Sequence, residues 1–290
     1  MSIAGLMFRF SAARGDKKRD SAIALPAGVT ECHNISYGSF GEDNLLDVYY
    51  PQGTTTPLPT IVSIHGGAYV YGSKEIYRRF GMDMAKRGFA FVNFNYRLAP
   101  KWKFPTPLWD TCAVLEWVKQ NCRRYFLDPE RIILIGDSAG AQLASQFAAM
   151  YANPDYAARM GLKIPNVNIR AVGLYCGLYD IPAFAVGNFK GIADDYLGKK
   201  FDLTDPRLDV LGALNDSFPP AFITTSCNDF LNHCAAPLQE RLSAVGVETE
   251  FHCYGTPEAK GVGHVFHVNI IHPEAVKCNN DAAAFFRKHI

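Results

Sequence analysis

Two stretches of this sequence carry residue types whose spacing suits acyl transfer. The first is Gly136-Asp137-Ser138-Ala139-Gly140, which ends a continuously apolar run, Ile132 to Ile135, and opens an Ala-rich helical pattern from Ala141 to Ala149. Strand, sharp turn and helix in that order lift a serine hydroxyl off the end of a buried strand, the arrangement of a nucleophile elbow. A turn that tight leaves no room for side chains two residues either side, which accounts for Gly136 and Gly140. The second stretch is His65-Gly66-Gly67-Ala68-Tyr69, directly after the apolar run Thr60 to Ile64. Attack by serine builds a tetrahedral oxyanion, and backbone N–H groups aimed at it are usually the largest catalytic term. Gly66 and Gly67 are candidates to supply such donors, with Ala139 beside the serine as a third. The bland alternative for the glycine pair is chain reversal alone.

The surrounding elements must position these stretches. Glu31 to Tyr37 and Leu45 to Tyr50 are β-rich and separated by the turn-forming stretch Gly38 to Asn44, which predicts an antiparallel hairpin. Strand and helix patterns then alternate. Strands are predicted at Thr60–His65, Phe89–Asn95, 131–135, Arg170–Cys176, Ala221–Ser226 and Glu248–Cys253. Helices fall at Glu75–Arg87, Pro107–Cys122, from Ala139, Ala235–Val245 and Pro273–Lys288. Continuous apolar strands joined by helices argue for an α/β fold whose mainly parallel central sheet is flanked by helices on both faces. Residues 180–218 break the alternation with helical fragments and no strand, too long for an ordinary connection, and are expected to form a lid. Ser2 to Phe10 suits a short amphipathic helix followed by a polar connection. The expected division is a catalytic domain of residues 30–179 and 219–290, with residues 1–29 and 180–218 as a small helical cap.

Composition narrows the partners. The 290 residues are 48% apolar and 20% charged, which suits a folded globular chain. Lys and Arg total 29 against 28 for Asp and Glu, so net charge points to neither nucleic acid nor an anionic membrane. The run Lys17-Lys18-Arg19, set between Asp16 and Asp20, suits a solvated surface turn. Eight cysteines lack C-x-x-C spacing and suit small buried hydrophobes in a reducing, cytoplasmic setting, with no disulfide frame and no zinc site. No signal-peptide pattern opens the sequence, and no run of about 18 apolar residues predicts a membrane span.

A third stretch, Tyr96-Arg97-Leu98-Ala99-Pro100, joins the other two to form a specific set. Together, in this order and spacing, the three resemble the hormone-sensitive-lipase-type family of α/β-hydrolase esterases from about residue 55 to the C-terminus. The resemblance implies an α/β-hydrolase fold and a serine carboxylesterase, capped by the N-terminal segment and an insertion after the sixth strand. Two departures stand out. Ala68 replaces the last glycine of the usual His-Gly-Gly-Gly, and Lys101 stands where Glu commonly follows Tyr-Arg-Leu-Ala-Pro.

Serine is a poor nucleophile unless a histidine takes its proton and a carboxylate fixes that histidine's tautomer. The fold demands the chain order Ser, acid, His. Asp229 lies just past the strand Ala221–Ser226 and is the leading acid; Asp180, one strand too early, suits a structural cap or hinge, and Asp209 and Asp216 are weaker. The family's Asp-Pro-Leu becomes Asp229-Phe230-Leu231 here. The base is His264 or His267, both in the Gly-rich loop after the last strand. Likeness to the family, with an aromatic close behind, favours His264. His252, His233 and His272 suit strand, acid-turn and helix-start positions. His65, Tyr69, Asp137 and Phe201 are candidates for the substrate pocket, and Phe184, Phe189 and Tyr196 for lid aromatics filling it. No cluster has metal-ligand spacing, so neither metal nor cofactor is expected. The expected substrate is a small, short-acyl ester, acetylated carbohydrates included; amides, lactones or a non-catalytic binding role are the alternatives.

Overall fold

Alternate residues along the central strands face two separate apolar clusters. Val62, Leu134, Val172 and Ile223 enter one, while Ile61, Ile133, Ala171 and Phe222 enter the other. Both sheet faces are therefore covered, which explains strands that are apolar without alternation. In the computed structural model, residues 1–290 are described, the side chain of Asn188 excepted. The strands are β1 (Val29–Ser36), β2 (Leu45–Pro51), β3 (Leu58–Ile64), β4 (Ala90–Phe94), β5 (Leu127–Asp137), β6 (Ile169–Tyr175), β7 (Ala221–Ser226) and β8 (Thr249–Tyr254). They form one sheet in the order β1-β2-β4-β3-β5-β6-β7-β8. β1 and β2 pair antiparallel, β2 meets β4 antiparallel, and every pair from β4 to β8 is parallel.

The helices are α1 (Ile3–Ser21), α2 (Arg78–Lys86), α3 (Thr106–Asn121), α4 (Ala139–Ala152), α5 (Pro154–Arg159), α6 (Ile181–Phe184), α7 (Lys190–Tyr196), α8 (Ala235–Ala244) and α9 (Pro273–Lys288). Register brings Ile64 beside Gly136, Asp137 beside Tyr175, and Tyr175 beside Thr224. The loops leaving β3, β5, β6 and β7 thus gather at one edge, the carboxyl ends of parallel strands where α/β sheets hold ligands.

Three expectations need correction. The N-terminal helix does not stop near Phe10 but runs unbroken to Ser21. Asp16, three residues before Arg19, pairs with it at 2.8 Å, and the basic residues of the last turn complement the helix's negative end. For the same reason Lys17-Lys18-Arg19 lies in a helix and not in a turn. The cysteines are not uniformly buried: Cys176 and Cys278 are, whereas Cys253 is exposed and the other five are half-buried. Among the described residues, no helix is long and apolar enough to cross a membrane.

Candidate active site

Ser138 stands between β5 and α4 at φ +54°, ψ −120°, a conformation that L-residues rarely adopt. Its glycine neighbours have a steric cause visible in the structure. A Cβ on Gly136 would overlap the Gly140 carbonyl, and one on Gly140 would overlap that of Ile64 on β3. The elbow closes only because both side chains are missing.

His264 and Asp229 meet this serine from loops far along the chain. His264 Nε2 lies 2.9 Å from Ser138 Oγ, and His264 Nδ1 lies 2.7 Å from Asp229 Oδ1. The same Asp229 oxygen accepts the Leu231 N–H at 2.9 Å, and the other accepts the Thr225 hydroxyl at 3.0 Å. Burial works to raise the Asp229 pKa, but hydrogen bonds led by that from His264 prevail and hold it below the ordinary carboxylate value. Cys176 lies beneath this pair; its sulfur, the carboxylate and a His264 nitrogen come within 4.8 Å of one another. His264 and Asp229 already satisfy each other there, so the thiol supports the carboxylate and the trio is no open ion site. Ser226, the last residue of β7, donates to the carbonyls of Val262 and Gly263 and ties the histidine loop to the sheet.

The rival residues have other employments. His267 is buried with its ring stacked on Tyr175 at 4.4 Å, and burial pushes its pKa down to about 3. Asp180 caps α6 by accepting the Ala183 N–H, Asp209 accepts from Gly212, and Ser217 donates to Asp216. His272 caps α9, His252 lies 2.7 Å from Glu250, and His233 lines a cavity away from Ser138.

The glycine loop departs from expectation at one donor. The Gly66 N–H is already engaged, 3.0 Å from the Tyr77 hydroxyl and 3.2 Å from Asp137 Oδ1, so it is not free for an oxyanion. The reason is Asp137, a wholly buried carboxyl whose pKa burial raises to about 6 and which takes every donor within reach, including Tyr77 Oη at 2.7 Å. The N–H groups of Gly67, Ala68 and Ala139 have no protein acceptor among the described residues. Ala68 and Tyr69 both take positive φ, 51° and 63°, so the loop keeps a left-handed path without a third glycine.

His65 and Tyr69 support this loop from beneath and do not line the serine's pocket. His65 Nδ1 lies 2.7 Å from the Gly66 carbonyl, its ring stacks on Tyr96 at 4.2 Å, and burial lowers its pKa to about 4. Tyr69 stacks on Tyr196 at 3.8 Å and donates to Gln142. Phe201 packs edge-on against Phe104 and lines a different hollow. Asp137 does reach the pocket. Lys101 leaves Arg97 no worse off, because Asp110 on α3 accepts its backbone and guanidinium N–H groups at 2.7–3.1 Å.

The pocket over Ser138 encloses about 230 Å³, and its roof comes from α1. Phe8, Ala12, Gly15, Asp16 and Arg19 face it, opposite Gly66, Gly67, Tyr77 and His264. Asp16 accepts the Tyr71 hydroxyl at 2.9 Å while also holding Arg19. Gly5 lets α1 approach α7 closely, since a Cβ there would lie 2.7 Å from Asp195. Sequence reasoning missed Tyr71, Tyr77 and the α1 residues; a Tyr ten residues past Gly67 carries no motif. A second, larger cavity of about 410 Å³ lies under α6, walled by Phe184, Phe189 and Phe230. The exposed Phe230 ring, on the wall of the larger cavity, sits 4.4 Å from the His264 ring.

Known proteins resemble this chain in sequence and in fold. A family model for the alpha/beta hydrolase fold matches residues 61–268. Carboxylesterase NlhH of Mycobacterium tuberculosis is 30% identical over 233 residues, covering 74% of this chain and 72% of that protein. Esterase LipQ of the same organism is 32% identical over 156 residues, 53% of this chain, but the match spans only 37% of LipQ's length. Among solved structures, esterase B from Lactobacillus rhamnosis superposes with a TM-score of 0.88 at 25% identity, covering 98% of this chain and 93% of that one.

Proposed function

Because the chain belongs to the hormone-sensitive-lipase-type esterases of the α/β-hydrolase superfamily, a family of carboxylic ester hydrolases, we propose that it is a serine carboxylesterase for short-acyl esters. The observation that carries this reading is the unbroken chain Ser138 Oγ, His264, Asp229, at 2.9 and 2.7 Å. His264 takes the serine proton as Oγ attacks the ester carbonyl, and Asp229 orients the ring and stabilises the imidazolium. The N–H groups of Gly67 and Ala139, with Ala68 as third donor, hold the oxyanion; Ala139 opens α4, whose dipole favours negative charge there. His264 returns the proton to the leaving alcohol, and water then attacks the acyl-enzyme with His264 again as base. Residues 1–29 and 180–218 act as the cap.

The small hollow over Ser138 supports short acyl groups, acetyl esters of carbohydrates included. Esterase B of Lactobacillus rhamnosis, solved with a C4-C4 tributyrin phosphonate, accords with an acyl group of that size. The test is a chain-length series of p-nitrophenyl esters. Wild type is expected to prefer the shortest, and Ser138→Ala to lose about 10,000-fold or more in kcat. A wild type inert toward every ester, or a fully active variant, would end the esterase reading. Phe230→Ala removes a wall side chain of the 410 Å³ cavity beside His264 and is expected to shift the optimum toward longer chains, about fourfold per added methylene. An unshifted profile would show that Phe230 sets no limit on chain length.

A further inference from the structure

One face of α1 roofs the catalytic pocket, and the opposite face is bare. Ile3, Leu6, Met7 and Phe10 recur at the i, i+3, i+4, i+7 spacing of a single helical stripe, yet they are 78%, 56%, 69% and 74% exposed. Most large apolar side chains at helical spacing are buried against a core; scattered single exposures need no explanation, but an aligned row of four does. Arg14, Lys17 and Lys18 follow Phe10 by four, seven and eight residues, on the same side of the helix, and all three are exposed. None of the three forms an ion pair among the described residues. The acids of α1 are turned elsewhere: Asp16 and Asp20 both hold Arg19, and Asp20 also faces Arg79. The outward face is thus apolar along its first half and cationic along its second, although the whole chain is close to neutral.

We propose that this outward face of α1 docks on an anionic lipid surface, its apolar half entering the acyl–headgroup boundary and its basic half meeting the headgroup charges. Such docking needs apolar side chains to face the acyl chains and Lys or Arg to meet the headgroups, and the outward face of α1 presents the first along its first half and the second along its second. Charge decides against a second copy of the chain as the occupant. Two α1 faces related by a two-fold axis would set Arg14, Lys17 and Lys18 either against their own copies or against the partner's apolar half, unpaired in both cases. Docking would also place the pocket roof, on the same helix's other face, at the lipid boundary. The inference concerns binding and does not depend on turnover, so its failure and that of the esterase reading are separable.

The test is flotation of the intact protein with phosphatidylcholine vesicles and with vesicles in which about a third of the lipid is phosphatidylglycerol. Wild type is expected to float with the anionic vesicles at least tenfold more strongly than with the neutral ones, and to be released by salt. Leu6→Gln/Phe10→Gln and, separately, Arg14→Gln/Lys17→Gln/Lys18→Gln are each expected to weaken that binding at least tenfold. These positions are exposed and Gln is a good helix former, so circular dichroism should report an unchanged fold. Wild type that floats with neither vesicle overturns the proposal, as does undiminished flotation of either variant. Light scattering supplies the other outcome: a wild-type dimer that Leu6→Gln/Phe10→Gln dissolves, without vesicle binding, assigns the face to a second copy and also overturns it.

Discussion

The floor and the roof of the catalytic pocket are built by different means. The floor, made of the Gly66-Gly67 loop, Ser138 and the His264 loop, hangs on strand ends whose register is fixed by the sheet. Its tolerances are set by backbone against backbone: Gly136 faces Gly140, and Gly140 faces Ile64. The roof is one helix held by polar side chains: Asp16 accepts from Tyr71, Arg19 donates to the Ile76 carbonyl, and Ser2 donates to Asp195. Atoms that move electrons must not drift, and interpenetrating backbone allows no drift. A roof that substrate has to pass is held by groups that water can replace.

That contrast can be broken from the floor first. Gly140→Ala pushes a methyl into the Ile64 carbonyl and displaces Ser138; kcat for a short ester is expected to fall about 100-fold. Activity within twofold of wild type would show that the elbow has slack. The roof should respond less. Asp16→Asn keeps the shape but removes the charge that holds Arg19 and Tyr71, in a setting only partly buried. A rise of about fivefold in KM with kcat within twofold is expected, a loss confined to kcat being contrary to a roof role. A further effect concerns stability alone. His267 sits neutral in the floor's packing with its pKa near 3, against an ordinary 6.5. A depressed folded value contributes stability that is present above 6.5 and is lost as pH falls toward it. His267→Phe should shrink the drop in unfolding free energy between pH 7 and pH 5 by about 2 kcal/mol. Asp137, raised to about 6, titrates with the opposite sign, regaining stability as pH falls, and it does so equally in both proteins. Denaturant titrations at the two pH values decide the matter, and equal drops in both would mean that His267 is already solvated.

Floor and roof also differ in how much of them can be read from the chain. The strand–helix alternation, the hairpin and the strandless segment at 180–218 follow from local pattern, because a strand buried on both faces has no other composition open to it. Motifs whose geometry is local were equally legible: Gly136-Asp137-Ser138-Ala139-Gly140 carries its own steric explanation. Choosing His264 over His267 needed likeness to a family, since both stand in one glycine-rich loop; the structure separates them by which ring reaches Ser138. The engagement of Gly66 was invisible because it depends on Tyr77 and on a buried Asp137, a pairing that spacing does not encode. The length of α1 is hidden for a similar reason. The stretch after Phe10 reads as a polar connection, but Asp16 and Arg19 brace the helix through contacts with Tyr71 and Ile76.

One consequence concerns time. Ser138 and His264 are 126 residues apart in sequence and touch only when β5, β7 and the loop after β8 are all in place. Contacts of that separation close late, after local helices have formed. Refolding followed by circular dichroism should therefore run ahead of refolding followed by ester cleavage. On the proposed reading, turnover is a clock that starts only when nearly the whole chain has found its place.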